Sequence, residues 1–98
     1  MTYHFKKSIV DKGEKRCYLC GSTHSLEVHH IFGGSNRKHS TQYGLVVSLC
    51  SSCHRGSNGV HNNYEKMEKL RNLGQLAFEK EYPQLDFVKI FHRNYKKE

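Results

Sequence analysis

The amino-acid sequence predicts an α+β fold, a stapled β-hairpin over residues 17–61 followed by helices over residues 62–98. Three observations predict it. Cys17-x2-Cys20 and Cys50-x2-Cys53 bracket the first part as two knuckle pairs with 29 residues between them. Inside that bracket lie two short apolar runs separated by a polar stretch, in a context rich in Gly, Ser and His. Beyond residue 61 cysteine disappears and helix formers take over. With 98 residues and 36% hydrophobic content, the chain makes one small domain whose core is marginal, and chains of this size usually carry a staple.

The elements follow in order. Residues 1–16 form a Lys-rich entry segment with apolar positions at Tyr3, Phe5, Ile9 and Val10. Ser25 to Phe32 reads as a strand bounded by Gly33-Gly34. Its period of two sends Leu26, Val28 and His30 to one face and Glu27, His29 and Ile31 to the other. Leu45 to Leu49 is β-branched and apolar, a second strand. The polar connection from Gly33 to Gly44, which includes Arg37-Lys38, reads as a long loop, so the two strands form an antiparallel hairpin. A helix starts near Asn62 or Asn63, either of which could cap it. Met67, Leu70, Leu73, Ala77 and Phe78 fall at helical spacing and make a stripe that packs on the hairpin. Pro83 ends this helix, and Leu85 to Phe91 reads as a second, shorter one.

The cysteine pairs read as a metal site. A two-residue spacer lets one tight turn present two thiolates, and four thiolates suit a tetrahedral zinc. Two separate redox dithiols, or four unrelated thiols, are the competing readings, and neither explains both pairs in one small chain. Four sulfurs leave zinc no open position, so this zinc at Cys17, Cys20, Cys50 and Cys53 is structural. No run of eighteen apolar residues or long apolar leader is evident, so the expectation is a cytoplasmic protein without a membrane span, where cysteines favour metal over disulfide.

Charge points to a partner. Sixteen Lys+Arg against nine Asp+Glu give +7, and residues 1–61 hold eight basic against three acidic side chains. A basic surface of this kind suits a polyanion such as nucleic acid, although solubility alone would also account for it. Arg37, Lys38 and Arg55 are the candidate phosphate contacts. With sulfur saturating the zinc, His29, His30, His54 and His61 remain, while His4, His24, His39 and His92 read as surface residues. Adjacent residues of a strand point to opposite sides, so His29 and His30 suggest one ligand and one free base.

Taken together, Cys17-x2-Cys20, Leu26-Glu27-Val28-His29-His30-Ile31 and Leu49-Cys50-x2-Cys53-His54 resemble the zinc-stapled HNH endonucleases of the ββα-metal (His-Me finger) type. The run from His29 to Lys38, followed by Tyr43-Gly44-Leu45 and Gly59-Val60-His61, is similar to small HNH proteins of phages and prophages. The similarity covers about residues 16–95. It implies that His30 is the general base, that His29 stands at the first metal-ligand position, and that His54 and His61 are further ligands of a catalytic divalent ion. It also implies DNA as substrate, 5′-phosphate and 3′-hydroxyl products, and partners in phage packaging or recombination. The middle Asn of the H-N-H pattern is missing, because Tyr43-Gly44 stands where it usually lies. Asn36 is the nearest candidate to orient His30.

The chemistry is coherent on physical grounds. A neutral imidazole can take the proton of an attacking water near neutral pH, and a divalent ion can stabilise the leaving oxygen. Imidazole ligands favour Mn²⁺, Co²⁺, Ni²⁺ or Zn²⁺ over Mg²⁺, so activity with Mn²⁺ or Ni²⁺ should at least equal that with Mg²⁺. Glu27, on the His29 face, could be an oxygen ligand or a support for one. The absence of an obvious reading helix suggests low sequence specificity. A non-catalytic zinc ribbon that binds nucleic acid is the alternative, but it has no use for four spare imidazoles.

Overall fold

The computed structural model describes residues 7–96, and the apolar positions Tyr3 and Phe5, like His4, lie outside them. The chain is α+β. Strand β1 (Leu26–His30) pairs antiparallel with β2 (Val46–Cys50), with Leu26 opposite Cys50 and His30 opposite Val46. Helix α1 (Arg37–Tyr43) lies between the strands, and α2 (Ser51–Arg55) follows β2 directly. Helix α3 (Tyr64–Glu81) and the short α4 (Phe87–Phe91) complete the element order. The entry segment runs along the free edge of β2, where Ile9 N–H donates to Gly44 O and the Asp11 carboxylate accepts from Ser48 N–H. An unpaired strand edge is thereby covered.

β1 is shorter than the run from Ser25 to Phe32: Ile31 N–H still donates to Leu45 O, but Phe32 turns its N–H to the Ser40 hydroxyl, and both residues enter the core at 1% exposed. Alternation along β1 itself holds: Glu27 and His29 face α2, while His30 faces α1. Val28 falls on the open side and is 58% exposed.

The predicted loop between the strands is a helix. Arg37 to Tyr43 has no apolar periodicity, so its pattern reads as solvated chain. What holds it is tertiary. The buried Ser40 hydroxyl accepts from Phe32 N–H at 3.0 Å and donates to Phe32 O at 2.7 Å. The Tyr43 ring meets Phe78, and the His39 ring meets Phe91, so His39 is a packed residue rather than a surface one. Gly44 ends α1 with φ of 73°. A Cβ there would also lie 2.7 Å from Lys7 O, so glycine is required on both counts.

Asn63 caps α3, its side chain accepting from Lys66 N–H, and the helix stops at Glu81, two residues before Pro83. Its buried face differs from the apolar stripe. Met67, Leu70 and Phe78 pack inward, but Leu73 and Leu76 are 43% and 47% exposed. Gly74 and Gln75 occupy the inner positions instead. A Cβ on Gly74 would stand 3.0 Å from Ile31 Cγ2 and 3.1 Å from Phe32 Cε2. The helix approaches the end of β1 so closely that no leucine fits. Gln75 ties the C-terminal segment down, accepting from Tyr95 N–H and donating to Asn94 Oδ1. Phe32 is the hub of the core, with the rings of Phe87, Phe91 and Tyr95 all near 5 Å from its own.

Candidate metal centres and the cleft between strand and helices

Two clusters of side chains that could hold a metal ion form among the described residues. The first is the cysteine quartet. Cys17 and Cys20 sit on a tight turn in which Gly21 N–H donates to Cys17 O. Cys50 ends β2, and Cys53 lies in the first turn of α2. All four are free thiols, and Cys20 Sγ stands 3.7 Å from Cys50 Sγ. The four sulfurs are clustered within 3.6–3.9 Å. Ligands about 2.3 Å from a shared tetrahedral ion stand roughly 3.8 Å apart, so the quartet can hold a metal. Burial raises the Cys17 thiol, but backbone N–H groups of Cys50, Cys20 and Leu19 outweigh it and bring it down to about 6. Cys53 is pushed up to about 12 by burial and by the sulfurs of Cys50, Cys17 and Cys20. Four thiolates this close need a cation among them to be ionised together.

The second cluster is His29, His54 and His61, whose ring nitrogens lie within 4.8 Å of one another. Each comes from a different element. His29 is on β1, His54 on α2, and His61 on a 3-10 turn, Val60–Asn62, that leads into α3. The second cysteine knuckle opens α2, so holding Cys50 and Cys53 also places His54 one residue further on. Glu27 then sets its ring. Its carboxylate accepts the His54 Nδ1–H at 2.7 Å, which turns Nε2 toward the cluster. That Nε2 stands 3.1 Å from His61 Nε2.

Two facing imidazole nitrogens can share a proton or face a common cation. The Nε2 of His29 decides between them. His29 is 2% exposed and this atom is buried without a hydrogen-bond partner. A shared proton between His54 and His61 leaves that orphan in place, at about 1–3 kcal/mol. A cation bound by all three removes it. Burial, followed by the charges of His54, His61, His30 and Arg71, lowers the His29 pKa to about 3. His61 is lowered by burial and then by His54 and Arg71. Both are neutral near pH 7, the form that ligates.

His30 stands apart from this trio. Its Nε2 lies 3.1 Å from Thr41 Oγ1 on α1, and its pKa is lowered by burial and then by Arg37. It nevertheless lines the same cleft as the trio, a space of about 340 Å³ bounded also by Val28, Gly33-Gly34 and Arg37. The adjacent pair therefore diverges, His29 turning to the cluster and His30 away from it.

Three expected residues are placed differently. Asn36 does not reach His30, because its side-chain amide donates to Phe91 O at 3.0 Å and ties the start of α1 to α4. Arg55 is exposed but ion-paired. Its guanidinium is bidentate on Glu27, at 3.0 Å and 2.6 Å, and with His54 it holds that carboxyl down at about 2. Lys38 is exposed and does not line the cleft, whereas Arg37 does. Thr41 carries no signal in the sequence, because the segment holding it has no helical pattern. Glu27 is a support for His54 and Arg55, with both carboxylate oxygens engaged.

No protein-family model, curated protein or solved structure matches this chain. Among the described residues no helix is long and apolar enough to cross a membrane.

Proposed function

We propose that this protein is a metal-dependent endonuclease of the HNH type, hydrolysing DNA phosphodiester bonds on a ββα-metal core. The observation that carries the reading is a single cleft lined by three converging imidazoles that could hold one ion and a fourth imidazole held separately. A structural site needs no fourth histidine, and a passive nucleic-acid-binding ribbon needs none of them. The antiparallel pair β1–β2 followed by α2 corresponds to the ββα arrangement, with the cysteine quartet holding a structural zinc at its base.

His29, His54 and His61 would hold the divalent ion, which when bound supplies charge neutralisation at the phosphate and the leaving oxygen. His30 accepts the proton of the attacking water. Arg37, at the rim, positions a neighbouring phosphate, a contact that gives affinity rather than sequence reading. The net charge of +7, trimmed to about +5 by a zinc tetrathiolate, favours approach to DNA.

The test is cleavage of supercoiled plasmid with Mg²⁺, Mn²⁺, Ni²⁺ or Zn²⁺, comparing wild type with zinc-loaded His30→Ala. Nicking that needs an added divalent ion and falls at least 100-fold in His30→Ala supports the reading. A wild-type protein that only retards the plasmid on a gel leaves the non-catalytic ribbon. Equal cutting by both proteins removes His30 as the base.

A further inference from the structure

We propose that Thr41 is the positioning residue of His30, holding its ring by accepting the Nε2–H and leaving Nδ1 as the nitrogen that takes a proton. The inference rests on the nuclease reading for its consequence, but not for its geometry. Thr41 Oγ1 has two close neighbours, His30 Nε2 at 3.1 Å and Arg37 O at 3.2 Å. A backbone carbonyl can only accept, so placing the single hydroxyl hydrogen of Thr41 on Arg37 O is the arrangement that makes both contacts hydrogen bonds. Towards His30 the hydroxyl then has only lone pairs to offer, and the hydrogen of that contact belongs to Nε2.

The hydroxyl is held as firmly as the ring. Back-bonding from a helical threonine to the carbonyl four residues earlier fixes its rotamer. Helix α1 is itself fixed against the strand, since Ser40 makes two bonds to the backbone of Phe32. Ser40 and Thr41, adjacent on α1, thus grip Phe32 and His30, the second and the zeroth residues of the chain as it leaves β1. Asn36 and Gly44 fasten the two ends of the helix. This arrangement supplies an orienting contact for His30. It also gives the short, polar α1 a purpose beyond connecting two strands.

The experiment uses the full chain loaded with zinc and labelled with ¹⁵N. Long-range proton–nitrogen spectra of the His30 ring are recorded at mildly alkaline pH for wild type, Thr41→Val and Thr41→Ser. Wild type and Thr41→Ser should show His30 as the Nε2–H tautomer with a visible, slowly exchanging Hε2. In Thr41→Val, which keeps the side-chain shape, that Hε2 should vanish by exchange with water. Plasmid cleavage should fall in kcat about 10–100-fold in Thr41→Val with KM unchanged, and recover to within about threefold in Thr41→Ser. An Nδ1–H tautomer in wild type, or an Hε2 and kcat unmoved in Thr41→Val, would overturn the proposal. A protected Hε2 in a wild type that cuts no DNA supports the positioning and defeats the nuclease reading instead.

Discussion

Glu27 is the most informative side chain to perturb, because it touches no other member of the histidine trio than His54. Its Oε1 accepts from His54 Nδ1 at 2.7 Å and from Arg55 Nε at 3.0 Å, and its Oε2 accepts from Arg55 Nη2 at 2.6 Å. Three interactions therefore converge on one carboxylate, and one of them fixes which nitrogen His54 turns to the cluster. Glu27→Gln keeps an oxygen that can still accept the Nδ1–H, but removes the charge that holds Arg55. Glu27→Ala removes both. Loss of a carboxylate supporting a ligating histidine typically costs 10–100-fold in metal affinity. The expected order is wild type, then Glu27→Gln weaker by about tenfold, then Glu27→Ala weaker by about 100-fold. The assay is calorimetric titration of zinc-loaded protein with Ni²⁺, with zinc content measured in parallel. That content should stay constant, because the quartet draws nothing from Glu27. Binding of Ni²⁺ by Glu27→Ala within threefold of wild type would refute the role given to the carboxylate.

Four further outcomes are expected. Asn36→Ala should cost about 1–2 kcal/mol in urea denaturation, because it orphans the Phe91 carbonyl. Phe32→Ala should cost about 3–5 kcal/mol, whereas Leu73→Ala, at an exposed position of the apparent stripe, should stay within about 1 kcal/mol by the same denaturation measurement. Stripping the quartet with a strong chelator should abolish the cooperative thermal transition seen by circular dichroism. Structural zinc in small domains contributes about 10–16 kcal/mol at neutral pH, as much as the whole stability of a domain this size. Initial nicking rates at saturating ion should be at least as high with Mn²⁺ or Ni²⁺ as with Mg²⁺, since the trio offers nitrogen and no carboxylate.

The parts of this protein that sequence determined are those written in local spacing. The cysteine pairs announce the quartet because a two-residue spacer is a statement about one turn. His29 and His30 separate because a strand alternates sides, and Asn63 caps α3 through a bond to a residue three positions on. Tertiary structure decided what depends on distant partners. α1 is a helix because Ser40 is bonded to Phe32 and its rings are packed, not because its own residues favour one. The inner face of α3 uses Gly74 and Gln75 where the pattern offers Leu73, because closeness to Ile31 and Phe32 leaves no room for a side chain at Gly74 and Gln75 is bonded to the C-terminal segment. Asn36 is drawn to Phe91 and Arg55 to Glu27, partners 55 and 28 residues away. Thr41 could not be read beside His30 at all, since only folding brings a polar stretch without periodicity against the end of β1.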